Sequence, residues 1–232
     1  SLALLDISSF GKYLVTGVRA AAALDHLLAG KLPGVGKIRL TPMLSPKGRL
    51  TGDLTTLRVQ DDEFWVSGSG YLQSWHMRWF AEHLSTAEVR VDNISDHYGG
   101  IALFGPHART VLQQLTADDV SNAAFPFMSV RRMDIALAPA VVARLSVSGE
   151  LGYEIYAPNL HMGTVYDAIE HVRAAYDARW VGMYALNSLR LEKSFGIWSR
   201  EFSRDYTPRM TGLDRFLDYA KRDFIGRAAA LE

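Results

Sequence analysis

The spacing of apolar side chains along the chain predicts several amphipathic helices. In residues 14–29 the apolar positions recur at helical spacing from about Gly17, and the glycines and the proline that follow predict where this helix ends. A second helical pattern follows Gly70 and runs to about Leu84. A third helix is predicted to begin after Gly105, with Pro106 at a favourable first position. Further helices are predicted over residues 162–178, over residues 183–195 and from Arg227 onward.

Short apolar segments between these patterns predict strands. Residues 37–44 and 49–60 flank the sequence Ser-Pro-Lys-Gly at 45–48, where the proline and the glycine favour a type I turn. With a third strand at residues 64–66, this part predicts an antiparallel meander. The other predicted strands are residues 89–94, 101–104, 128–135, 140–147 and 153–156. The apolar run at residues 2–7 needs partners on both sides.

The order of these elements favours one fold class. Strands and helices alternate irregularly, which indicates an α+β fold of antiparallel β-sheets with flanking helices rather than a doubly wound parallel sheet. The chain contains no internal repeat and no linker rich in proline or serine. We therefore expect residues 1–232 to form one compact domain, built as a single unit or as two interlocked α/β subdomains.

Composition and charge exclude several classes of protein. The 232 residues are 48% apolar and 22% charged, which is typical of a globular domain. Twenty-five basic residues balance twenty-five acidic ones, so no global basic field favours nucleic acid or an anionic membrane surface. The apolar windows are too short for a membrane span. The sequence has no cysteine, which excludes disulfides, thiolate metal sites and a cysteine nucleophile.

Two further motifs carry little functional signal. Gly68-Ser69-Gly70 lies where nucleotide-binding loops lie, but the third glycine of the dinucleotide fingerprint is missing, so we interpret it as a turn between a strand and a helix. The seven histidines are scattered, and none forms a metal-binding motif with a carboxylate. His76 and His83 share one helix face with aromatic residues, which is typical of a half-buried face. We predict no metal site.

Asp53 is the first candidate for chemistry. It lies in a segment with strand propensity, where aspartate is disfavoured, and alternation places it on one face with Thr51 and Thr55. Two interpretations fit this pattern. Either the face is solvated, or the carboxylate is directed into a pocket.

Glu154 raises the same question in the segment Tyr-Glu-Ile-Tyr at 153–156. A buried carboxylate needs hydrogen-bond donors, and a heterocycle with adjacent ring N–H and amino groups can supply two parallel bonds. The alternative is an exposed glutamate on an edge strand.

Arg190 lies on the helix predicted over residues 183–195, where we favour a structural ion pair with a carboxylate. The other late arginines suit a solvated surface better than an anionic ligand tail; they are Arg200, Arg204, Arg209 and Arg215.

Five segments, taken together and in order, resemble one family. They are residues 6–12, 43–55, 104–109, 148–156 and 184–193. The sequence is similar to the tetrahydrofolate-binding domain at the C-terminal end of dimethylglycine dehydrogenase and sarcosine dehydrogenase, a relative of the glycine-cleavage aminomethyltransferase. The likeness covers residues 4–230. Because each motif alone is weak, the register of all five carries the resemblance.

The resemblance implies a fold and a set of site residues. The fold is the aminomethyltransferase folate-binding fold, here without the small C-terminal β domain of the family. The implied pocket residues are Asp53, Leu54 and Thr55, with Glu154, Ile155 and Tyr156 gripping the pterin. Asp53 is the implied catalytic base. Val147 and Arg215 stand where the family has tyrosines, so those two contacts do not carry over.

The resemblance also implies an activity. The domain is expected to bind tetrahydrofolate and to capture the one-carbon unit, an iminium or formaldehyde, from oxidative demethylation of dimethylglycine or sarcosine, giving 5,10-methylenetetrahydrofolate. FAD is expected on an N-terminal flavin oxidoreductase domain of a longer polypeptide, of which this chain is a section. Alternatives are a flavin-independent folate-dependent demethylase or aminomethyltransferase, and a non-catalytic folate-binding module. The expected location is the bacterial cytoplasm, or the mitochondrial matrix in a eukaryote, with no nucleic acid or membrane partner.

Overall fold

A computed structural model describes residues 1–84, 87–198 and 200–232. Its strands are β1 (Leu2–Asp6), β2 (Gly11–Thr16), β3 (Lys37–Leu44), β4 (Leu50–Gln60), β5 (Glu63–Gly68), β6 (Arg90–Asn93), β7 (Tyr98–Phe104), β8 (Ser129–Ile135), β9 (Ala138–Arg144), β10 (Gly152–Pro158) and β11 (Ala178–Trp180). Its α-helices are α1 (Ala20–Leu27), α2 (Gln73–His83), α3 (Ala108–Leu115), α4 (Met162–Arg173), α5 (Met183–Glu192), α6 (Pro208–Thr211) and α7 (Arg227–Leu231). Single 3-10 turns cover Gly70–Leu72, Asn159–His161, Ala174–Tyr176 and Asp214–Phe216.

The chain divides into two compact units, each made of two segments. Unit 1 contains Ser1–Ser9 and Ser95–Phe195, and unit 2 contains Phe10–Ile94 and Gly196–Glu232. Each unit therefore has strands and helices from distant parts of the sequence.

Unit 1 is built on a sheet in the order β11-β1-β7-β10-β9-β8. β1 pairs with β11 in parallel and with β7 in antiparallel orientation, so it is an interior strand of the sheet. The other neighbours are antiparallel. Helices α3 and α4 join Tyr153, Ile155 and Ala157 of β10 in one apolar core, so these three side chains share one face of the sheet.

Unit 2 extends the meander β3-β4-β5 through β2 to β6, with all neighbours antiparallel. Helices α1 and α2 pack on this sheet, where Leu24 and Phe80 meet Leu54 of β4 in a fully buried core. A second core joins Leu50 to Trp198 and residues of the returning segment. Both clusters are apolar and buried, which is the main source of stability for a small unit.

The predicted α+β fold of antiparallel strands with flanking helices is confirmed, with one parallel pair added at the edge of unit 1. The turn at residues 45–48 forms as predicted, and the Gly48 N–H donates to the Ser45 carbonyl at 2.9 Å. No helix in the described part of the chain has the length and apolar character required to cross a membrane.

Three predicted helices were too long, and one of them, predicted over residues 183–195, ends at Glu192. The first begins at Ala20 and not at Gly17, because residues 11–16 form β2 and Gly17 has a positive φ of 122°, where a Cβ would lie 2.1 Å from the Glu88 carbonyl oxygen. The helix predicted over residues 162–178 ends at Arg173, and Ala178 starts β11. A three-residue strand shows too little alternation to be recognised in a sequence.

Candidate functional site

Asp53 lies on β4, opposite Pro42 of β3. Alternation along β4 directs Leu54 into the core of unit 2, so Asp53 lies on the other face with Thr55, while Thr51 lies at a shift in the β3–β4 register. Asp53 and Thr55 are half-buried. The side-chain oxygen of Thr51 is buried and has no hydrogen-bond partner among the described residues. The half-buried carboxyl of Asp53 is therefore suited to a polar ligand, and a buried unsatisfied hydroxyl lies two residues before it.

The surroundings of Asp53 change its protonation. Burial raises the pKa of Asp53 to about 7, because the charged carboxylate loses solvation, and a backbone hydrogen bond opposes part of this effect. Although the residue keeps some contact with water, protein atoms surround most of the carboxyl group. A carboxyl that titrates near neutral pH can both accept and release a proton, which is the requirement for general acid–base catalysis.

The backbone around Asp53 is fixed by side-chain hydrogen bonds. The Thr41 hydroxyl donates to the carbonyl of Leu54 at 3.0 Å and lies 2.6 Å from the Thr56 hydroxyl, and both threonines are fully buried. These bonds attach β4 to β3 beside Asp53. The direction of the carboxyl group is therefore set by the strand and not by a mobile loop.

Glu154 lies on β10 of unit 1 and is only 7% exposed. Its cross-strand neighbours are Ala102 on β7 and Ala143 on β9, which both have small side chains. The Tyr156 hydroxyl donates to Glu154 Oε2 at 2.5 Å. Burial raises the pKa of Glu154 to about 7, and the bond from Tyr156 opposes this rise.

Gly100 on β7 fixes the position of Tyr156. A Cβ at Gly100 would lie 3.1 Å from atoms of the Tyr156 ring and 2.9 Å from Ile7, so only glycine leaves room for the ring at this place. The ring can therefore lie against the backbone of β7 while its hydroxyl holds Glu154. The sequence predicts Tyr156 as a site residue, but the role of Gly100 depends on cross-strand register and was missed.

The other predicted site residues differ in where their side chains point. Leu54 is fully buried in the core of unit 2, and Ile155 is fully buried in the core of unit 1. Thr55 shares the face of Asp53. We therefore expect Leu54 and Ile155 to contribute through backbone atoms, and Thr55 through its hydroxyl.

The remaining candidates have structural contacts. Arg190 is buried, and it donates to Asn187 Oδ1 at 2.9 Å and to the Phe195 carbonyl at 2.7 Å, which ties down the end of α5. His76 is 1% exposed, more deeply buried than its half-buried helix face predicts, and its Nδ1 lies 2.8 Å from the Tyr13 hydroxyl. Within residues 1–84, 87–198 and 200–232, no group of three or more potential ligands among histidine and the acidic residues could hold a metal ion.

The comparison with family models decides the family. The model of the GCVT N-terminal domain matches residues 1–221. The chain belongs to the GCVT N-terminal domain family. The predicted resemblance is thereby confirmed, and this GCVT domain has its candidate carboxyls on β4 and β10, one in each unit.

Individual relatives of the GCVT domain fall into two groups. It is 37% identical over 229 residues to mitochondrial dimethylglycine dehydrogenase of Mus musculus, covering 97% of this chain and 26% of the relative. It is 30% identical to the aminomethyltransferase of Thermoanaerobacter sp., covering 99% of this chain and 62% of the relative. The chain therefore spans about a quarter of the first relative and less than two thirds of the second.

A solved structure supports the fold. The glycine cleavage system aminomethyltransferase T from Bartonella henselae superposes with a TM-score of 0.87 at 23% identity, covering 99% of this chain and 62% of that one. At this level of identity the match concerns the fold alone. The aminomethyltransferase fold that the sequence predicted is confirmed.

Proposed function

We propose that this GCVT domain binds tetrahydrofolate and transfers a one-carbon unit to it, giving 5,10-methylenetetrahydrofolate. The observation that carries the proposal is Asp53, a carboxyl with a pKa of about 7, on a fixed strand of a GCVT domain. The reaction attaches carbon to a folate nitrogen that must then lose a proton. Asp53 has the acidity that this proton transfer needs.

The proposed reaction transfers protons and a one-carbon group without oxidation or reduction. N5 of tetrahydrofolate attacks the carbon of an iminium, CH2=N⁺R2, so that an N5–C bond forms and the C=N π electrons move to the donor nitrogen. Asp53 accepts the N5 proton and returns it to the donor nitrogen, whose bond to the carbon then breaks. N10 attacks the same carbon and releases its own proton to the departing amine. The products are 5,10-methylenetetrahydrofolate and R2NH2⁺.

For Glu154 we propose the role of pterin anchor. The pterin presents a ring N–H and an adjacent amino group, which match the two oxygens of one carboxylate. Without a ligand, burial disfavours the charged form of Glu154, and Tyr156 supplies one donor at 2.5 Å. Two more donors from the pterin would stabilise the carboxylate and fix the orientation of the folate for attack.

The dehydrogenase relatives support a particular donor. The mouse relative is a dimethylglycine dehydrogenase, of which this chain matches 26%. We assign the oxidation of dimethylglycine or sarcosine to a flavin domain with FAD in the same longer polypeptide, and capture of the resulting one-carbon unit to the GCVT domain. The bacterial relative is an aminomethyltransferase, which fits the same acceptor chemistry with a different donor.

Asp53→Asn tests the catalytic role. The experiment measures 5,10-methylenetetrahydrofolate formed from tetrahydrofolate and formaldehyde, after subtraction of the uncatalysed reaction. We expect the variant to lose about 10²–10⁴ of the catalysed rate, because the amide cannot accept the proton. Binding of tetrahydrofolate should change little.

The matched control is Asp61→Asn, at an exposed position in the hairpin between β4 and β5. It makes the same chemical change and should keep the parent rate. An Asp53→Asn variant as fast as the parent would refute the catalytic role. Binding of tetrahydrofolate without any catalysed rate in the parent would favour a non-catalytic folate-binding module.

A further inference from the structure

Trp75, near the start of α2, holds the strand segment that precedes Asp53. Its ring nitrogen Nε1 donates to the carbonyl of Thr51 at 3.2 Å. Thr51 lies two residues before Asp53 on β4, between Leu50 and Gly52, where the pairing with β3 shifts register. A bond to the backbone at this point therefore acts directly on the position from which Asp53 projects.

His76, the next residue of α2, lies against the same segment from the core side. A Cβ at Gly52 would lie 3.5 Å from His76 Nε2, and a Cβ at Gly68 would lie 3.1 Å from His76 Cε1. The imidazole thus lies close to the backbone of β4 and β5 where side chains are missing. The Tyr13 hydroxyl lies 2.8 Å from Nδ1 and fixes the ring.

The side chain of Arg204 covers the ring of Trp75. The guanidinium of Arg204 stacks on the Trp75 ring at 3.8 Å, which packs the indole in place. Burial, with a contribution from Arg204, lowers the pKa of His76 to about 4, so the imidazole is neutral at pH 7. His76 therefore brings no charge next to the Asp53 segment and acts by contact.

We propose that Trp75 and His76 form a clamp on residues 51 and 52 of β4 and are positioning residues for Asp53. This inference rests on the function proposed above. Gly52 precedes the proposed base and is paired with Met43 of β3, but the β3–β4 register shifts directly beyond this pair, and glycine is the most flexible type of residue. The indole bond to Thr51 and the imidazole beside Gly52, both from α2, supply a further constraint. Neither side chain is required to touch the substrate.

Trp75→Phe tests the clamp, because it keeps an aromatic ring and removes the donor to Thr51. Trp79→Phe is the matched control on the same helix, since Trp79 is buried and its Nε1 has no hydrogen-bond partner among the described residues. We expect Trp75→Phe to lower kcat about tenfold to a hundredfold, with KM for tetrahydrofolate within about twofold of the parent. Trp79→Phe should lower the melting temperature more than Trp75→Phe and leave kcat near the parent value.

A second measurement does not depend on activity. Hydrogen exchange in residues 50–54 should become faster in Trp75→Phe relative to residues 55–60, whereas Trp79→Phe should change both segments alike. The clamp is refuted if the variant with the lower melting temperature also has the lower kcat. It is also refuted if Trp75→Phe leaves hydrogen exchange in residues 50–54 unchanged. If the parent neither binds nor converts tetrahydrofolate, the proposed function fails, and the exchange data alone decide whether the clamp exists.

Discussion

Asp53 and Glu154 are both carboxyls whose charged forms are disfavoured by burial. In each case the pKa rises to about 7, and the hydrogen bonds present, from backbone to Asp53 and from Tyr156 to Glu154, offset only part of the effect. A protein that buries two carboxyls in this way gives up stability at neutral pH. Such a cost is typical of functional sites, where a ligand supplies the missing donors.

The pKa of Asp53 leads to a prediction about stability. Because the folded chain binds this proton more tightly than the unfolded chain, its contribution makes stability fall as pH rises from about 4 to about 7. Asp53→Asn avoids the buried charge, so we expect it to be more stable than the parent at pH 8, by about 1–3 kcal/mol, and nearly equal to it at pH 4. Urea unfolding at the two pH values measures the difference. A gain of the same size at both pH values would contradict the assigned cause.

At the residue scale the sequence indicated both carboxyls but could not decide between a solvated and a buried environment. Alternation predicted Asp53 on one face with Thr51 and Thr55; Asp53 and Thr55 are both half-buried, whereas Thr51 is buried at a register shift between β3 and β4. The burial of Glu154 depends on Ala102 and Ala143, which lie 52 and 11 positions away in the chain and become its neighbours only through strand register. No local pattern contains that information.

The element scale explains how the two carboxyls are held. β4 and β10 each send alternate side chains into an apolar core, which leaves the opposite face for Asp53 in unit 2 and for Glu154 in unit 1. A slip of one residue in either strand would exchange these faces. Core packing therefore protects the orientation of both site residues.

Gly100→Ala tests the packing of β7 against Tyr156. The new Cβ would lie 2.9 Å from Ile7 and 3.1 Å from the Tyr156 ring, so one of the two must move. We expect a loss of about 1–3 kcal/mol in the free energy of unfolding, measured by urea titration. Gly163→Ala on α4, where a Cβ would meet no atom within 4 Å, should be neutral or stabilise by up to about 1 kcal/mol. Equal effects of the two changes would contradict the proposed packing.

Elements with strong turn signals were predictable, and elements defined by distant pairing were not. The meander of β3, β4 and β5 follows from the Ser-Pro-Lys-Gly turn and the flanking alternation. β2 was not predicted as a strand, because its last residues continue into the apolar pattern of the helix predicted from about Gly17. β11 is a strand only because it pairs with β1, which lies far from it in the sequence.

At the scale of the whole chain, the proposed function rests on family membership together with two candidate carboxyls. The GCVT match and the TM-score of 0.87 establish family and fold, while the relatives extend well beyond the matched region. Five weak motifs in register allowed the sequence to predict this family. Composition alone, with net charge zero and no cysteine, only excluded some classes of protein and did not indicate the family.

The most direct test of the proposed function is calorimetric titration of the chain with reduced tetrahydrofolate, beside Glu154→Gln and Asp53→Asn. We predict that the parent binds one tetrahydrofolate and that Glu154→Gln weakens binding at least about tenfold, because charge-assisted bonds to the pterin contribute about 1.5–3 kcal/mol. Asp53→Asn should keep an affinity within a few-fold of the parent. A parent that does not bind tetrahydrofolate, or a Glu154→Gln variant that binds it as tightly as the parent, would contradict the account.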